Sequence, residues 1–301
     1  MNEQGVILLD SAEKKWNQYQ FRNKFYFSSL QNMPELYASY TSSFSIKFVL
    51  KGKEHYAFDQ HNYTVSQGQY LLINDGQEVD TSIKGSNDGI SIFIDPHVLR
   101  TIYGNLNKSH NTLLSEPNII ATGEVNFFEH VYSSQDDFGV TLKQIASNIE
   151  NYLHQDYYLP EEWYFNLSEK LLRAQFRMRN QMESLDRVKK STREELYRRL
   201  LSAKDYIHDN LHLPINLDML ALETGLSKFH LIKIFHQCYH LTPYQYLMHC
   251  RINLAKSLLN STVLGIEEIG CCCGFDQLVS FSRAFKQIAG LSPSKYRQLV
   301  N

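Results

Sequence analysis

The chain has 301 residues, of which 43% are hydrophobic and 13% aromatic, and it carries 30 Lys and Arg against 32 Asp and Glu. This length and apolar content are sufficient for two conventional hydrophobic cores, and they exclude a disordered or low-complexity protein. No apolar stretch approaches the roughly 18 residues of a membrane-spanning helix, and the first residues lack the features of a signal peptide. We therefore expect a cytoplasmic protein with no membrane partner.

Alternating apolar residues predict β-structure between residues 44 and 94. Every second residue from Phe44 to Leu50 is apolar, and the alternation resumes at Tyr56. Further short strands, each bounded by turn residues, are predicted at 63–65, 70–73, 79–83 and 90–94. The segment 85–89, with a glycine at each end, is predicted to be a turn. Short strands punctuated by turns predict a small antiparallel barrel or jelly roll.

The predicted barrel lacks a metal-site pattern. Metal-binding barrels need closely spaced His residues and a Glu, because imidazoles and a carboxylate must converge on one ion, whereas His55 and His61 stand apart. We therefore predict no metal and no other cofactor. A barrel with an aromatic lining can instead hold a small organic effector, or the same residues can simply fill it. The predicted inward-facing, effector-binding residues are Phe48, Tyr56, Phe58, Leu72 and Ile92.

After Pro96 the apolar residues follow helical spacing. We predict short helices near 96–103 and 124–132 and two longer helices at 137–154 and 160–183. The two longer helices either form a dimer interface or only pack against the barrel, and the sequence leaves both interpretations open.

A charged segment, 184–195, is the predicted linker between a first domain, 1–183, and a second domain, 196–301. Residues 190–301 hold 13 Lys and Arg against 9 Asp and Glu, a net charge of +4, whereas residues 1–189 hold 17 against 23, a net charge of −6. A basic domain can recruit phosphate groups through counterion release.

The segment 217–296 contains the same helix-turn-helix pattern twice. Residues 217–225 match 266–274 at an offset of 49, and residues 235–246 match 285–296 at an offset of 50. Each copy has an amphipathic helix, a Gly that can adopt positive φ, and a second amphipathic helix. A single helical hairpin of this kind would not indicate a particular function, but two copies in series predict a double DNA-binding motif.

Each copy is followed by a hydroxyl residue and a proline, which predict the start of a further helix. The helix from Thr242 to Leu259 would join the two motifs and hold their second helices in successive major grooves, about 34–36 Å apart. The predicted fold class is therefore α+β with two domains. An antiparallel β-barrel with a helical pair precedes an all-α domain with two helix-turn-helix motifs joined by a long helix.

The second helix of each motif is predicted to contact DNA. Ser227 and Asp276 are the predicted caps of these helices. The predicted buried stripes are Leu231, Ile234 and Phe235 in the first motif and Phe281, Ala284 and Phe285 in the second. The predicted DNA-binding residues are Lys228, Phe229, Ile232, Lys233 and His236 in the first motif and Gln277, Leu278, Val279, Ser280, Arg283 and Lys286 in the second.

The C-terminal third of the chain has a specific set of residues at fixed positions around the two motifs. They are Ala221, Gly225, Ser227, Leu231, Phe235, Thr242, Pro243, Tyr246, Arg251, Ala255, Leu258, Ile266, Ile269, Gly274, Phe275, Phe281, Arg283, Phe285, Lys286, Pro293, Tyr296 and Arg297. This pattern resembles the AraC/XylS family of bacterial transcription regulators.

The resemblance implies a seven-helix domain that inserts both second helices into double-stranded promoter DNA. It also implies a homodimeric activator that contacts RNA polymerase, with a cupin-like sensor barrel in the N-terminal region. The chain departs from the family pattern at Gly270, where Ala is usual, and in the three cysteines that follow, so we expect the second motif to be less stable. Ile232, Leu278 and Val279 are apolar and favour thymine methyl groups, so we predict a T-rich site.

The cysteine positions and the absence of catalytic motifs bear on two alternative functions, a thiol switch and an enzyme. All five cysteines lie at position 238 or later, and residues 271–273 lack metal-site spacing, so we predict structural burial, with a thiol switch as the alternative. A barrel enzyme fused to a DNA-binding domain is disfavoured, because no nucleophilic Cys precedes position 238 and no phosphate loop is visible. We predict that the chain is not an enzyme. A constitutive DNA-binding dimer without an effector stays open.

Overall fold

The computed structural model describes residues 6–9, 22–106, 125–149, 159–185 and 189–300. The chain divides into two compact units, Met1–Met178 and Arg179–Asn301. The first unit is a nearly closed, mainly antiparallel β-barrel with helices, and the second is entirely helical in its described residues. The predicted fold class is confirmed.

The strands of the first unit form one curved sheet. Within the described residues they are β1 (Val6–Leu9), β2 (Lys24–Thr41), β3 (Ser45–Lys51), β4 (Lys53–Phe58), β5 (His61–Ser66), β6 (Gln69–Ile73), β7 (Glu78–Phe93) and β8 (Val131–Ser133). The strand order is β1-β2-β7-β3-β6-β8, and β4 pairs with both β5 and β7. The β1–β2 pair is parallel, and the other pairs are antiparallel.

The longest strands correct the sequence prediction. Strand β7 is one strand of 16 residues, so the turn predicted at 85–89 is wrong. Gly85 has a φ of 81°, and it pairs with Met33 between two register shifts, so this glycine bends the strand without ending it. Strand β2 was not predicted, because much of it is exposed and therefore lacks an apolar alternation.

The helices of the first unit cover one face of the sheet. They are α1 (Pro96–Leu106), α2 (Asp137–Ser147) and the part of α3 (Glu161–Glu183) that precedes residue 179. Ile46, Phe48, Leu72 and Ile92 pack with these helices in one apolar cluster. The opposite face forms a second cluster that includes Val49, Tyr56, Phe58, Val65, Leu71 and Ile73, and this face lines the barrel interior.

The two clusters correct part of the predicted effector lining. Tyr56 and Phe58 face the interior, but Phe48, Leu72 and Ile92 lie on the helix-covered face. The reason is a register shift between Val49 and Lys51, because one extra residue reverses which alternate positions face inward.

The helix prediction after residue 96 is confirmed for α1 and α3 and corrected between them. Residues 125–130 have no regular structure and 131–133 form β8, so the helix predicted at 124–132 is wrong over its described part. Tyr132 stacks on Tyr70 at a centroid distance of 4.9 Å, which fixes β8 against β6. The predicted helix 137–154 is observed from Asp137 to Ser147, and its residues from 150 onward lie outside the described residues.

From residue 189 onward, the described residues of the second unit form seven helices. They are α4 (Lys190–Asp209), α5 (Leu217–Thr224), α6 (Lys228–Tyr239), α7 (Pro243–Ser261), α8 (Ile266–Cys272), α9 (Leu278–Ala289) and α10 (Pro293–Val300). The two predicted motifs are α5–α6 and α8–α9, and α7 is the joining helix. Helix α4 begins inside the predicted linker, and Glu195 forms ion pairs with Arg198 and Arg199 three and four residues later on it.

Candidate DNA-binding surface

Local sequence fixes the start of the first motif's second helix, α6. Gly225 has a φ of 62° and ends α5, and the Ser227 hydroxyl then accepts a hydrogen bond from the His230 amide. The Ser227 cap is therefore confirmed. Arg199 of α4 donates to the Gly225 carbonyl at 3.3 Å, which holds the turn against the first helix of the domain.

Helix α6 separates its buried and exposed residues as predicted. Leu231, Ile234 and Phe235 are buried, and Phe235 contacts the ring of Tyr246 at a centroid distance of 5.5 Å. The predicted DNA-binding residues of this helix are all exposed: Lys228, Phe229, Ile232, Lys233 and His236. Phe229 is 80% exposed in the first turn, which is unusual for a residue with a large apolar ring.

Lys228 has a partner that sequence reasoning missed. Its ammonium group forms an ion pair with Asp218 in the first turn of α5. This carboxylate neutralises part of the positive charge at the start of α6. The signal was available in the sequence as the only acidic residue in that turn, but its distance from Lys228 depends on the angle between the two helices.

Tertiary packing holds the second motif's helix, α9, more than capping does. Helix α9 begins at Leu278 with Gln277 as its N-cap, and within the described residues this side chain makes no capping hydrogen bond. The predicted cap at Asp276 is therefore wrong, because the second copy has one extra residue before this helix. Phe281 contacts Phe275 and Phe285 at centroid distances of 5.3 and 5.7 Å, so an aromatic cluster fixes α9 in place.

The outer face of α9 carries two apolar side chains in its first turn and polar or basic side chains after them. Its predicted DNA-binding residues are all exposed: Gln277, Leu278, Val279, Ser280, Arg283 and Lys286. Of the predicted buried stripe, Phe281 and Phe285 are buried and Ala284 is half-buried. Ser280 and Arg283 also line a groove of about 360 Å³ between α9 and the joining helix α7.

Arg251, in the middle of α7, is a structural residue. It is 6% exposed, and its guanidinium donates hydrogen bonds to the carbonyls of Leu211 and Leu213 at 3.0 and 2.6 Å. It also lies 5.6 Å from the ring centroid of Phe275. Arg251 therefore ties the end of α4 to the second motif, and it is not available to contact phosphate.

The cysteines are divided by exposure. Cys238 and Cys273 are buried, as predicted, and burial raises the pKa of the Cys273 thiol to about 12. Cys271 and Cys272 are exposed at the end of α8, so the prediction of structural burial is wrong for these two. Helix α8 has seven residues and buries Ile269 and Gly270, and the buried Cys273 follows it as its C-cap.

Comparison with known proteins matches this domain to DNA-binding regulators. A model described as a helix-turn-helix domain matches residues 220–299. The MmsAB operon regulatory protein of Pseudomonas aeruginosa is 38% identical over 95 residues, which are 32% of this chain and 31% of that protein. The regulatory protein SoxS of Salmonella typhimurium is 31% identical over 93 residues, which are 31% of this chain and 87% of that protein.

The chain belongs to the AraC/XylS family of transcription regulators. The C-terminal domain of AraT, a response regulator from Geobacillus stearothermophilus, is a similar solved structure with 30% identity and a TM-score of 0.33, covering 34% of this chain and 84% of that one. The matches to the first curated relatives of this AraC-family chain span 31% and 24% of those proteins' lengths. The similarity to them therefore concerns the DNA-binding domain.

Two further structural findings concern metal binding and membrane insertion. Within the described ranges, no three His, Cys, Asp or Glu side chains converge in a way that could hold a metal ion. Among the residues with a described structure, every helix of this AraC-family regulator is too short or too polar to span a bilayer.

Proposed function

We propose that this AraC-family regulator binds double-stranded promoter DNA with both α6 and α9, each in its own major-groove segment. The observation that carries the proposal is that both helices bury an aromatic and aliphatic stripe and expose every residue predicted to contact DNA. Arg283, Lys286 and Lys233 would contact phosphates or guanine edges, and Phe229, Ile232, Gln277, Leu278 and Val279 would meet base edges and thymine methyls.

The second part of the proposal is that the chain acts as a homodimeric activator that touches RNA polymerase beside its site. Family membership supports the contact with polymerase. Exposed apolar side chains on α2 and α3 support dimerisation through the helical pair, since Val140 is 47% and Phe165 is 36% exposed. Replacing both with Asp should convert a dimer to a monomer in analytical ultracentrifugation, whereas Glu162→Asp on the exposed start of α3 should change nothing.

The third part is that the β-barrel holds a small organic effector that modulates DNA binding. The barrel interior supports this proposal, because it contains polar and charged side chains that a core needed only for folding would not require.

The test of the whole proposal is capture of genomic DNA fragments by the full chain at one moderate salt concentration. Enrichment of fragments with two T-rich boxes about one helical turn apart would support the double reading. Enrichment of a single box would leave one helix without a DNA partner, and enrichment of no sequence would contradict the proposal.

A further inference from the structure

Among the described residues, the interior of the β-barrel contains an amine and a carboxyl side chain that are almost fully buried. Lys47 on β3 is 3% exposed and Glu54 on β4 is 4% exposed. Both occupy positions on the face that also carries Val49 and Tyr56. Charged residues are rarely buried to this degree in a protein unless they have a partner, because removing the charge from water is costly.

Lys47 is weakly satisfied by its surroundings. Its ammonium lies 3.4 Å from the hydroxyl of Ser91, which is a long hydrogen bond, and 4.1 Å from the ring centroid of Phe93. Tyr40 lies further away, at 5.5 Å from the ammonium to its ring centroid. Burial lowers the pKa of Lys47 to about 7, although the Glu54 carboxylate acts in the opposite direction.

Glu54 lies on the neighbouring strand β4, and its carboxylate lies beside Gly89 of β7. Its carboxylate accepts a hydrogen bond from the Tyr56 hydroxyl, and burial raises its pKa. A Cβ at position 89 would lie 2.4 Å from Glu54 Oε1, so the carboxylate occupies the space that this glycine leaves. Ser91 and Gly89 are two residues apart on β7, which separates the levels of Lys47 and Glu54 by roughly 7 Å.

Asn87 adds an unpartnered amide at the level of Glu54. It is 0% exposed, and among the described residues neither its Nδ2 nor its Oδ1 has a hydrogen-bond partner. Its Oδ1 would lie 3.4 Å from a Cβ on Gly89, so it approaches the same glycine as the Glu54 carboxylate. A buried amide of this kind costs about 1–3 kcal/mol of folding free energy unless another molecule satisfies it.

The other face of the same strands shows that these polar residues are not required to build the sheet. There the residues opposite each other on β3, β6 and β7 are apolar, as in the row Ile46, Leu72 and Ile92. Apolar residues of similar volume would fill the interior at a lower free-energy cost. The polar interior therefore calls for an explanation beyond stability.

We propose that the barrel interior binds a small hydroxylated carboxylic acid, with Lys47 holding the carboxylate and Glu54 and Asn87 holding hydroxyl groups. This inference rests on the proposed effector function of the barrel and gives the chemical class of that effector. A carboxylate would give Lys47 a charge-assisted hydrogen bond. Hydroxyl groups can donate to Glu54 and both donate to and accept from Asn87, so one molecule would satisfy all three side chains.

The direct test is calorimetric titration of the full chain with D-galacturonate and D-gluconate, and with D-galactose as the neutral match to the first. We expect one of the two acids to bind and galactose to bind at least about tenfold more weakly. The variant Lys47→Met should lose binding of the acid by about tenfold or more, whereas Lys51→Met, on the exposed end of the same strand, should bind as the wild type does. Absence of binding by both acids, or equal binding by Lys47→Met, overturns the proposal.

A second measurement needs no ligand. If these groups serve binding, the double variant Lys47→Met/Glu54→Gln should keep or raise the melting temperature of the full chain, whereas the core variant Leu71→Ala should lower it. A fall in melting temperature as large as that of Leu71→Ala would make the pair structural and overturn the proposal. The DNA affinity of the wild type and of the same variants is measured separately, without ligand. Failure of the wild type to bind DNA would refute the proposed DNA-binding function, but it would not change the result of the ligand titration.

Discussion

The two helix-turn-helix motifs have the same design but draw stability from different sources. In the first motif, side chains of Asn216 and Ser227 cap both helices, and Gly225 ends α5 in the left-handed region. In the second motif, the amide of the N-cap Gly265 donates a hydrogen bond to the Glu268 carboxylate, and the N-cap Gln277 makes no side-chain capping bond in the described structure. The aromatic cluster around Phe281 holds α9. Tertiary packing can therefore offset weak local signals in one copy of a repeat, so poor helix propensity alone does not identify the less stable motif.

The largest expected effect is a difference in stability between alanine variants of the two turn glycines, Gly274 and Gly225. A Cβ at Gly274, where φ is 77°, would lie 2.4 Å from the Leu211 carbonyl and 2.6 Å from Arg251 Nη2. At Gly225, within the described structure, it would approach Arg199 Nη1 at an ordinary 3.4 Å. We expect Gly274→Ala to lower the free energy of unfolding by about 2–4 kcal/mol and Gly225→Ala by about 1 kcal/mol, measured by urea denaturation. An equal loss of unfolding free energy in the two variants would mean that the close packing at Gly274 does not contribute to stability.

The next effect concerns DNA binding by the second motif. Arg283→Ala should weaken binding to a selected site by about 1–3 kcal/mol, with relaxed specificity at one base pair if Arg283 reads a base. The matched control is Lys190→Ala on α4, whose side chain is 88% exposed, and we expect it to bind as the wild type does. Fluorescence anisotropy at fixed salt checks both. Wild-type affinity in Arg283→Ala would remove α9 from the DNA interface.

A smaller effect is expected at the N-termini of α6 and α9, which differ in their capping. Ser227→Ala should destabilise the first turn of α6 by about 1 kcal/mol, because the His230 amide loses its acceptor. Gln277→Ala should leave the start of α9 unchanged, because in the described structure this side chain makes no capping hydrogen bond. Amide hydrogen exchange in the first turns of the two helices measures the difference. Similar loss of protection in both variants would mean that the Ser227 and Gln277 side chains do not differ in capping their helices.

The smallest effect tests the ion pair between Lys228 and Asp218. Asp218→Asn should free the lysine to contact a phosphate, and the slope of log affinity against log salt should steepen by about 0.9. Glu223→Gln, an exposed residue on the same helix, removes the same charge without freeing a lysine and is the control. If both variants steepen the slope equally, the effect is one of net charge and the ion pair does not restrain Lys228.

Periodicity and repeats predicted most of the helical unit, because its helices are amphipathic and its turns use Gly, Ser, Thr and Pro in their usual places. Sequence reasoning failed where one residue changed the geometry. The extra residue near Leu50 reversed the inward-facing positions of the barrel, and the extra residue before α9 moved its cap from Asp276 to Gln277.

Long-range geometry accounts for the remaining failures in the fold and the candidate site. Whether Gly85 ends or bends a strand depends on its pairing with Met33 of β2, and whether Lys228 has a partner depends on the angle between α5 and α6. The buried Lys47 and Glu54 were missed for the same reason, since both read as ordinary polar positions in alternating strands.

The proposed function requires each motif to read its own DNA segment. Its most direct test is hydroxyl-radical footprinting of the full chain and of two matched variants, Ile232→Asp and Val279→Asp, on one selected fragment. Each variant places a negative charge on an exposed apolar position of one DNA-facing helix, and the residues are 37% and 67% exposed in the free protein. If both helices read DNA, we expect two protected boxes for the wild type and loss of a different box in each variant. Loss of the same box in both variants, or a single box in the wild type, would contradict it.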